Sequence, residues 1–140
     1  MASAADPARA QEAPSRPILV VVSPANPTSA LKVAELRRIF LREQTVWADG
    51  SPIAVFERST ENPIRTQFSS TVLGKAPSQL AEYWLNLALT RGLEPPKVCR
   101  TGALLKQYLE RTKGGIGYVY EDELADGLKI IARVTPKGRK

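Results

Sequence analysis

Ile53-Ala54-Val55-Phe56-Glu57-Arg58-Ser59-Thr60-Glu61-Asn62-Pro63-Ile64 carries the chain from a strand into a helix. Asp49-Gly50-Ser51-Pro52 before it is turn chemistry, and Ile53 to Phe56 then reads as a short apolar strand. Asn62-Pro63 is a helix start, with Asn as the N-cap and Pro fixed at the first helical position. Ile64, Phe68 and Val72 share one face of that helix, and Gly74 stands where it stops. Upstream, Ile18-Leu19-Val20-Val21-Val22 is an unbroken aliphatic run, the pattern of a strand covered on both faces. Ser23-Pro24-Ala25-Asn26-Pro27 ends it, after which Val33, Leu36, Ile39 and Phe40 recur at helical spacing with Arg37, Arg38 and Arg42 interleaved. Downstream, Leu80, Tyr83, Trp84 and Leu87 mark one face of a second helix that ends at Arg91-Gly92. A short strand around Val98 follows Pro95-Pro96. Thr101 caps a helix that buries Leu105, Tyr108 and Leu109 and closes at Gly114-Gly115. Ile116 to Tyr120 and Leu128 to Ile131 complete the order βαβααβαββ, which predicts an α/β domain with helices packed on the faces of a sheet.

Composition narrows the chemistry. The chain has 140 residues, 43% hydrophobic and 24% charged, the mix of a globular protein with room for one core. It contains one cysteine, Cys99, and no histidine. That removes internal disulfides, thiolate–imidazole metal sites and His-dependent triads. With no nucleophile–base pair and no metal-ligand spacing, the sequence predicts no enzyme, no metal and no cofactor. The formal charge of +6 is unevenly spread: residues 1–16 are neutral, residues 133–140 carry +4, and residues 17–132 hold 14 basic and 12 acidic side chains. A body so close to neutral argues against a nucleic-acid partner. No apolar run approaches the roughly 18 residues of a membrane span, so no membrane insertion is expected. Residues 1–16 are rich in Ala and Pro and read as a disordered segment without the apolar core of a secretion signal. The expected organisation is a disordered segment over 1–16, a folded domain over 17–132 and a basic tail over 133–140.

Several stretches resemble a known family. Ser29-x-Leu31, Glu35-Leu36-x-x-Ile39-Phe40-Leu41 and Trp47-x-Asp49-Gly50-x-Pro52-Ile53 are similar to the second lobe of phosphate-specific periplasmic binding proteins, the substrate-binding components of phosphate ABC transporters. So are Glu57-Arg58-Ser59-Thr60-Glu61-Asn62-Pro63-x-Arg65-x-x-Phe68, Leu80-x-x-Tyr83-Trp84 and Gly114-Gly115-Ile116-Gly117-Tyr118-Val119. The resemblance spans residues 18–131 and implies a short, single-lobe version. The implied fold is one lobe of a type II periplasmic binding protein, a mixed sheet with helices on both faces in a single three-layer-like domain. The implied activity is non-catalytic binding of phosphate or another small oxyanion, weak in isolation, in a periplasmic or otherwise extracytoplasmic setting. The family's second lobe supplies an Arg at a strand end, an acid two positions on, then Ser-Gly-Thr opening a helix. Here Arg58 matches, Thr60 replaces the acid, and Asn62, Pro63 and Ile64 replace Ser-Gly-Thr. An uncharged hydroxyl at Thr60 accepts the proton of a protonated phosphate less well, Pro63 has no N–H to donate, and Ile64 has no hydroxyl.

The same residues read on their own chemistry give two outcomes. A helix N-terminus favours anions, Arg58 and Arg65 add forked donors, and Ser59, Thr60 and Asn62 add more. These five are the candidate ligand-binding residues. In the other outcome Asn62 only caps the helix and the arginines pair with Glu57 and Glu61. The matching functional alternative is a protein-interaction or adaptor domain that kept the fold and lost the ligand, with a partner or a second copy on the face another lobe would cover. Elsewhere the spacing of Tyr83 and Trp84 with Leu80 and Leu87 predicts core packing rather than a ligand platform. Arg37, Arg38 and Arg42 read as a solvated helix face and Cys99 as a buried small hydrophobe. Gly114, Gly115 and Gly117 follow a helix and precede a strand, the reverse of a phosphate loop.

Overall fold

The computed structural model describes residues 16–136 apart from Ala125. The segment expected to be disordered lies, except for Arg16, outside the described residues, as does the end of the basic tail from 137 on.

β1 (Ile18–Val22) is buried along its whole length, as an unbroken aliphatic run requires. It occupies an interior position of a five-stranded sheet with β2 (Ala54–Arg58), β3 (Lys97–Cys99), β4 (Gly115–Tyr120) and β5 (Lys129–Val134), in the order β3-β2-β4-β1-β5. β2 runs parallel to both β3 and β4, whereas β1 runs antiparallel to β4 and β5, so the sheet is mixed. Ile18 lies opposite Tyr120 on one side and Val134 on the other, which ties the first strand to the last two. β5 continues to Val134, two residues past the boundary expected at 132, because Val134 is buried against the core.

Helices cover both faces. α1 (Val33–Phe40), α2 (Pro63–Phe68) and α3 (Pro77–Arg91) pack Leu36, Ile39, Phe40, Ile64, Phe68, Leu80, Trp84 and Leu87 against Ile18, Val20, Val22, Ile116 and Tyr118. α4 (Gly102–Arg111) covers the other face with Leu105 and Leu109 against Leu19, Val21, Phe56, Cys99 and Val119. The alternation of side chains along each strand produces this division into two apolar clusters. Fully burying one large aliphatic side chain contributes about 1.5–3 kcal/mol, so both layers hold the sheet. Val33, expected on the buried stripe of α1, is 46% exposed because it sits at the first turn, ahead of the packed face.

Local signals act as their chemistry dictates. The Asn62 carboxamide oxygen accepts the Ile64 N–H at 3.2 Å, and the Thr101 hydroxyl accepts the Leu104 N–H at 3.0 Å. α2 passes directly into a wider π-turn, Ser69–Leu73, which stops at Gly74 with φ of 71°. α3 ends at Gly92 with φ of 67°. Gly114 serves close approach: a Cβ there would lie 2.1 Å from the Pro52 carbonyl oxygen. Its own carbonyl accepts the Trp47 indole N–H at 3.0 Å, so the Trp47–Pro52 turn is clamped onto the start of β4.

Candidate functional site

The carboxyl end of β2 places consecutive side chains on opposite faces of the sheet. Glu57 points into the layer beneath α2 and Arg58 into the layer beneath α4, and both are buried. Glu57 accepts a hydrogen bond from the Tyr118 hydroxyl and lies 3.2 Å from the Arg65 Nε, within ion-pair range but without an aligned hydrogen bond. Its second oxygen has no partner among the described residues. Burial pushes its carboxyl above the usual range, against the pull of the Arg65 charge and the Tyr118 hydroxyl. Burial and the neighbouring Glu57 charge drive the Tyr118 phenol well up.

Arg58 has no exposed surface. Its Nε donates to the Cys99 carbonyl at 3.3 Å, Nη1 donates to the Tyr118 carbonyl at 3.2 Å, and both terminal nitrogens fork onto the Glu123 carboxylate at 3.1 Å. Burial works against ionisation of Glu123, but hydrogen bonds from Arg58 and the Tyr120 N–H outweigh it and hold the carboxyl below its usual range. Arg65 is also buried and donates to the Arg58 carbonyl at 2.6 Å. The two arginines expected to face an anion are therefore engaged inside the fold. Arg58 pairs with Glu123 rather than with the nearby Glu57 or Glu61, because strand alternation turns it to the opposite face from Glu57.

Above this network the surface is concave. An open hollow of about 370 Å³ is lined by Ser59, Glu61, Asn62, Pro63 and Arg100. Ser59 is the first residue after β2 and Arg100 the first after β3, so the hollow sits at the carboxyl ends of two adjacent parallel strands. The Ser59 hydroxyl accepts the Glu61 N–H at 3.3 Å and the Ser59 carbonyl accepts the Asn62 N–H at 2.9 Å. Asn62 caps Ile64 through its oxygen, which leaves its side-chain NH₂ to donate outward. Thr60 is exposed on the turn but does not line the hollow. Of the five sequence candidates, Ser59 and Asn62 come together here, while Arg58 and Arg65 lie beneath. Arg100 was missed: its signal was its place one residue past the strand around Val98, which has meaning only once β3 is known to pair with β2.

The remaining candidates fall into structural roles. Trp84 is buried, and Tyr83 meets it edge-on while its hydroxyl donates to the Leu41 carbonyl. Arg37 donates to the Val72 carbonyl at 3.0 Å and Arg42 to the Ile53 carbonyl at 3.1 Å, so two of the three interleaved arginines tie α1 and its exit to neighbouring segments. Cys99 is buried, and burial pushes its thiol up. No cluster of three metal-ligating side chains is present among the described residues. Nor, among them, is any helix long and apolar enough to cross a membrane.

A mixed sheet with helices on both faces, and a hollow outside the carboxyl ends of its parallel strands, makes this an α/β domain with a candidate site at its strand ends. The chain matches the family described as PBP superfamily domain over residues 3–137, and it belongs to that family. No curated protein sequence matches it. Among solved structures it is similar to an ABC-type phosphate transport receptor from Vibrio cholerae, with 20% identity and a TM-score of 0.64, covering 84% of this chain and 46% of that one. It is also similar to PstS from Borrelia burgdorferi, with 13% identity and a TM-score of 0.64, covering 84% of this chain and 47% of that one. At these identities the likeness is one of fold: a single α/β domain similar to one lobe of phosphate-binding periplasmic proteins. The chain spans less than half the length of these proteins.

Proposed function

We propose that this chain is a non-catalytic solute-binding lobe that meets phosphate or another small oxyanion in the hollow between β2 and β3, in an extracytoplasmic setting. The observation that carries this reading is the placement of Ser59 and Arg100 at the carboxyl ends of adjacent parallel strands, where open α/β sheets bind their ligands. Arg100 brings the positive charge. Ser59 and Asn62 supply a hydroxyl and an amide donor from the turn. Arg58 and Arg65, held from within, fix the shape of that turn. The Vibrio cholerae structure named above is described as a phosphate transport receptor, which supports the ligand class. An open hollow leaves the anion in contact with water, so its charge-assisted bonds are screened. Phosphate is expected to bind with a Kd of ~1 mM, about −4 kcal/mol. Chemical-shift titration at low salt checks this: resonances of Ser59 to Asn62 and of Arg100 should move, and Arg100→Ala should abolish the movement. If millimolar phosphate moves none of them, the reading fails.

A second reading, an interaction or adaptor domain without a ligand, is favoured by α3. Leu85 and Leu89 stand 60% and 77% exposed on the side of that helix away from the core. Sedimentation velocity over a range of concentrations tests self-association through this face. A mass that stays monomeric in the wild type and in Leu89→Glu removes it.

A further inference from the structure

The hollow carries both signs of charge. Arg100 lies on the β3 side and Glu61 on the β2 side, on two separate loops, and neither takes part in an ion pair among the described residues. The start of α2 adds little to anion capture: Asn62 occupies the Ile64 N–H, and Pro63 has no N–H to offer. An anion held by Arg100, the Ser59 hydroxyl and the Asn62 amide therefore has a carboxylate on the same rim. Inorganic phosphate meets that carboxylate as repulsion. A ligand with its own cation meets it as a second attachment point. The volume, about 370 Å³, falls within the ~300–1,000 Å³ typical of small-molecule sites, so a phosphoryl group with a short alkyl arm has room.

We propose that the hollow is suited to a small soluble zwitterion of the aminoalkylphosphonate class, its oxyanion against Arg100, Ser59 and Asn62 and its ammonium against Glu61. This rests on the oxyanion reading above and specifies the ligand for that site. Exposed ion pairs are weak, so the ammonium should strengthen binding only about threefold.

Chemical-shift titration with aminoethylphosphonate, ethylphosphonate and inorganic phosphate tests the two readings separately. The expected result is that aminoethylphosphonate binds about threefold tighter than ethylphosphonate. Glu61→Gln should erase that difference and tighten phosphate, while Arg100→Gln should weaken all three. Glu61 is exposed, so its substitution leaves the core untouched, and a dispersed amide spectrum verifies the fold. If ethylphosphonate binds as well as aminoethylphosphonate to the wild type, the zwitterion inference is overturned and the oxyanion reading stands. If none of the three moves the resonances of Ser59 to Asn62 or Arg100, both fail. Co-sedimentation with phosphatidylethanolamine vesicles, at a level not matched by phosphatidylglycerol vesicles, would overturn the soluble ligand in favour of a lipid headgroup.

Discussion

Burial holds the Glu57 carboxyl above its ordinary value of 4.5, while Arg58 and the Tyr120 N–H hold that of Glu123 below the same value. The two respond to pH with opposite signs. The contribution of Glu57 is fully present below its unfolded pKa and is lost as pH rises through the higher folded one. That of Glu123 is present above its unfolded pKa and is lost as pH falls through the lower folded one. Urea unfolding measured across pH should therefore show Glu57→Gln flattening the curve above about 4.5 and Glu123→Gln flattening it below. Equal slopes in the two variants and the wild type would remove this account. Trp84 makes a plainer case: it is buried on the stripe with Leu80 and Leu87. Trp84→Ala should cost about 3–5 kcal/mol, read as a lowered denaturant midpoint.

At the level of elements, the contact between Gly114 and Pro52 makes a sharp prediction. A methyl group at 114 would sit 2.1 Å from backbone rather than from a flexible side chain, so the Trp47–Pro52 turn must shift. Gly114→Ala should destabilise by about 1–3 kcal/mol and alter the near-UV signal of Trp47, whose indole bond to the Gly114 carbonyl would be strained. Local chemistry made many elements legible in the sequence: the aliphatic run of β1, the Asn62 and Thr101 caps, and the Gly92 stop all act over a few residues. What acts at long range was not legible. β2 runs on through Glu57 and Arg58, past the apolar run that ends at Phe56, because the Tyr118 hydroxyl and the Glu123 carboxylate on distant segments satisfy these two buried side chains. The candidate site was legible only in its geometry. Ser59 and Asn62 follow from the strand–turn–helix pattern, whereas the burial of Arg58 and the arrival of Arg100 depend on which strands become neighbours.

For the whole molecule, the two apolar clusters share β1 and β4, whose alternate side chains feed opposite faces. Neither cluster survives without these strands, so both faces should unfold together. The chain carries its own probes: Trp47 and Trp84 report on one cluster, and Cys99, the single cysteine, on the other. Tryptophan fluorescence and thiol labelling should give coincident denaturant midpoints. A thiol that becomes reactive well before fluorescence changes would reveal a face covered by α4 that melts alone.

The pairing of β1 also governs the order of events during synthesis. Ile18–Val22 emerges first among the strands, yet its two neighbours are made roughly a hundred residues later. On a ribosome the most hydrophobic strand must wait, exposed, until residues through Val134 have left the exit tunnel. Contacts so distant in sequence slow folding and lengthen the interval in which such a strand can find a wrong partner. A nascent chain halted before β4 should therefore be bound by a chaperone that recognises extended aliphatic segments, and released only when β5 has been made.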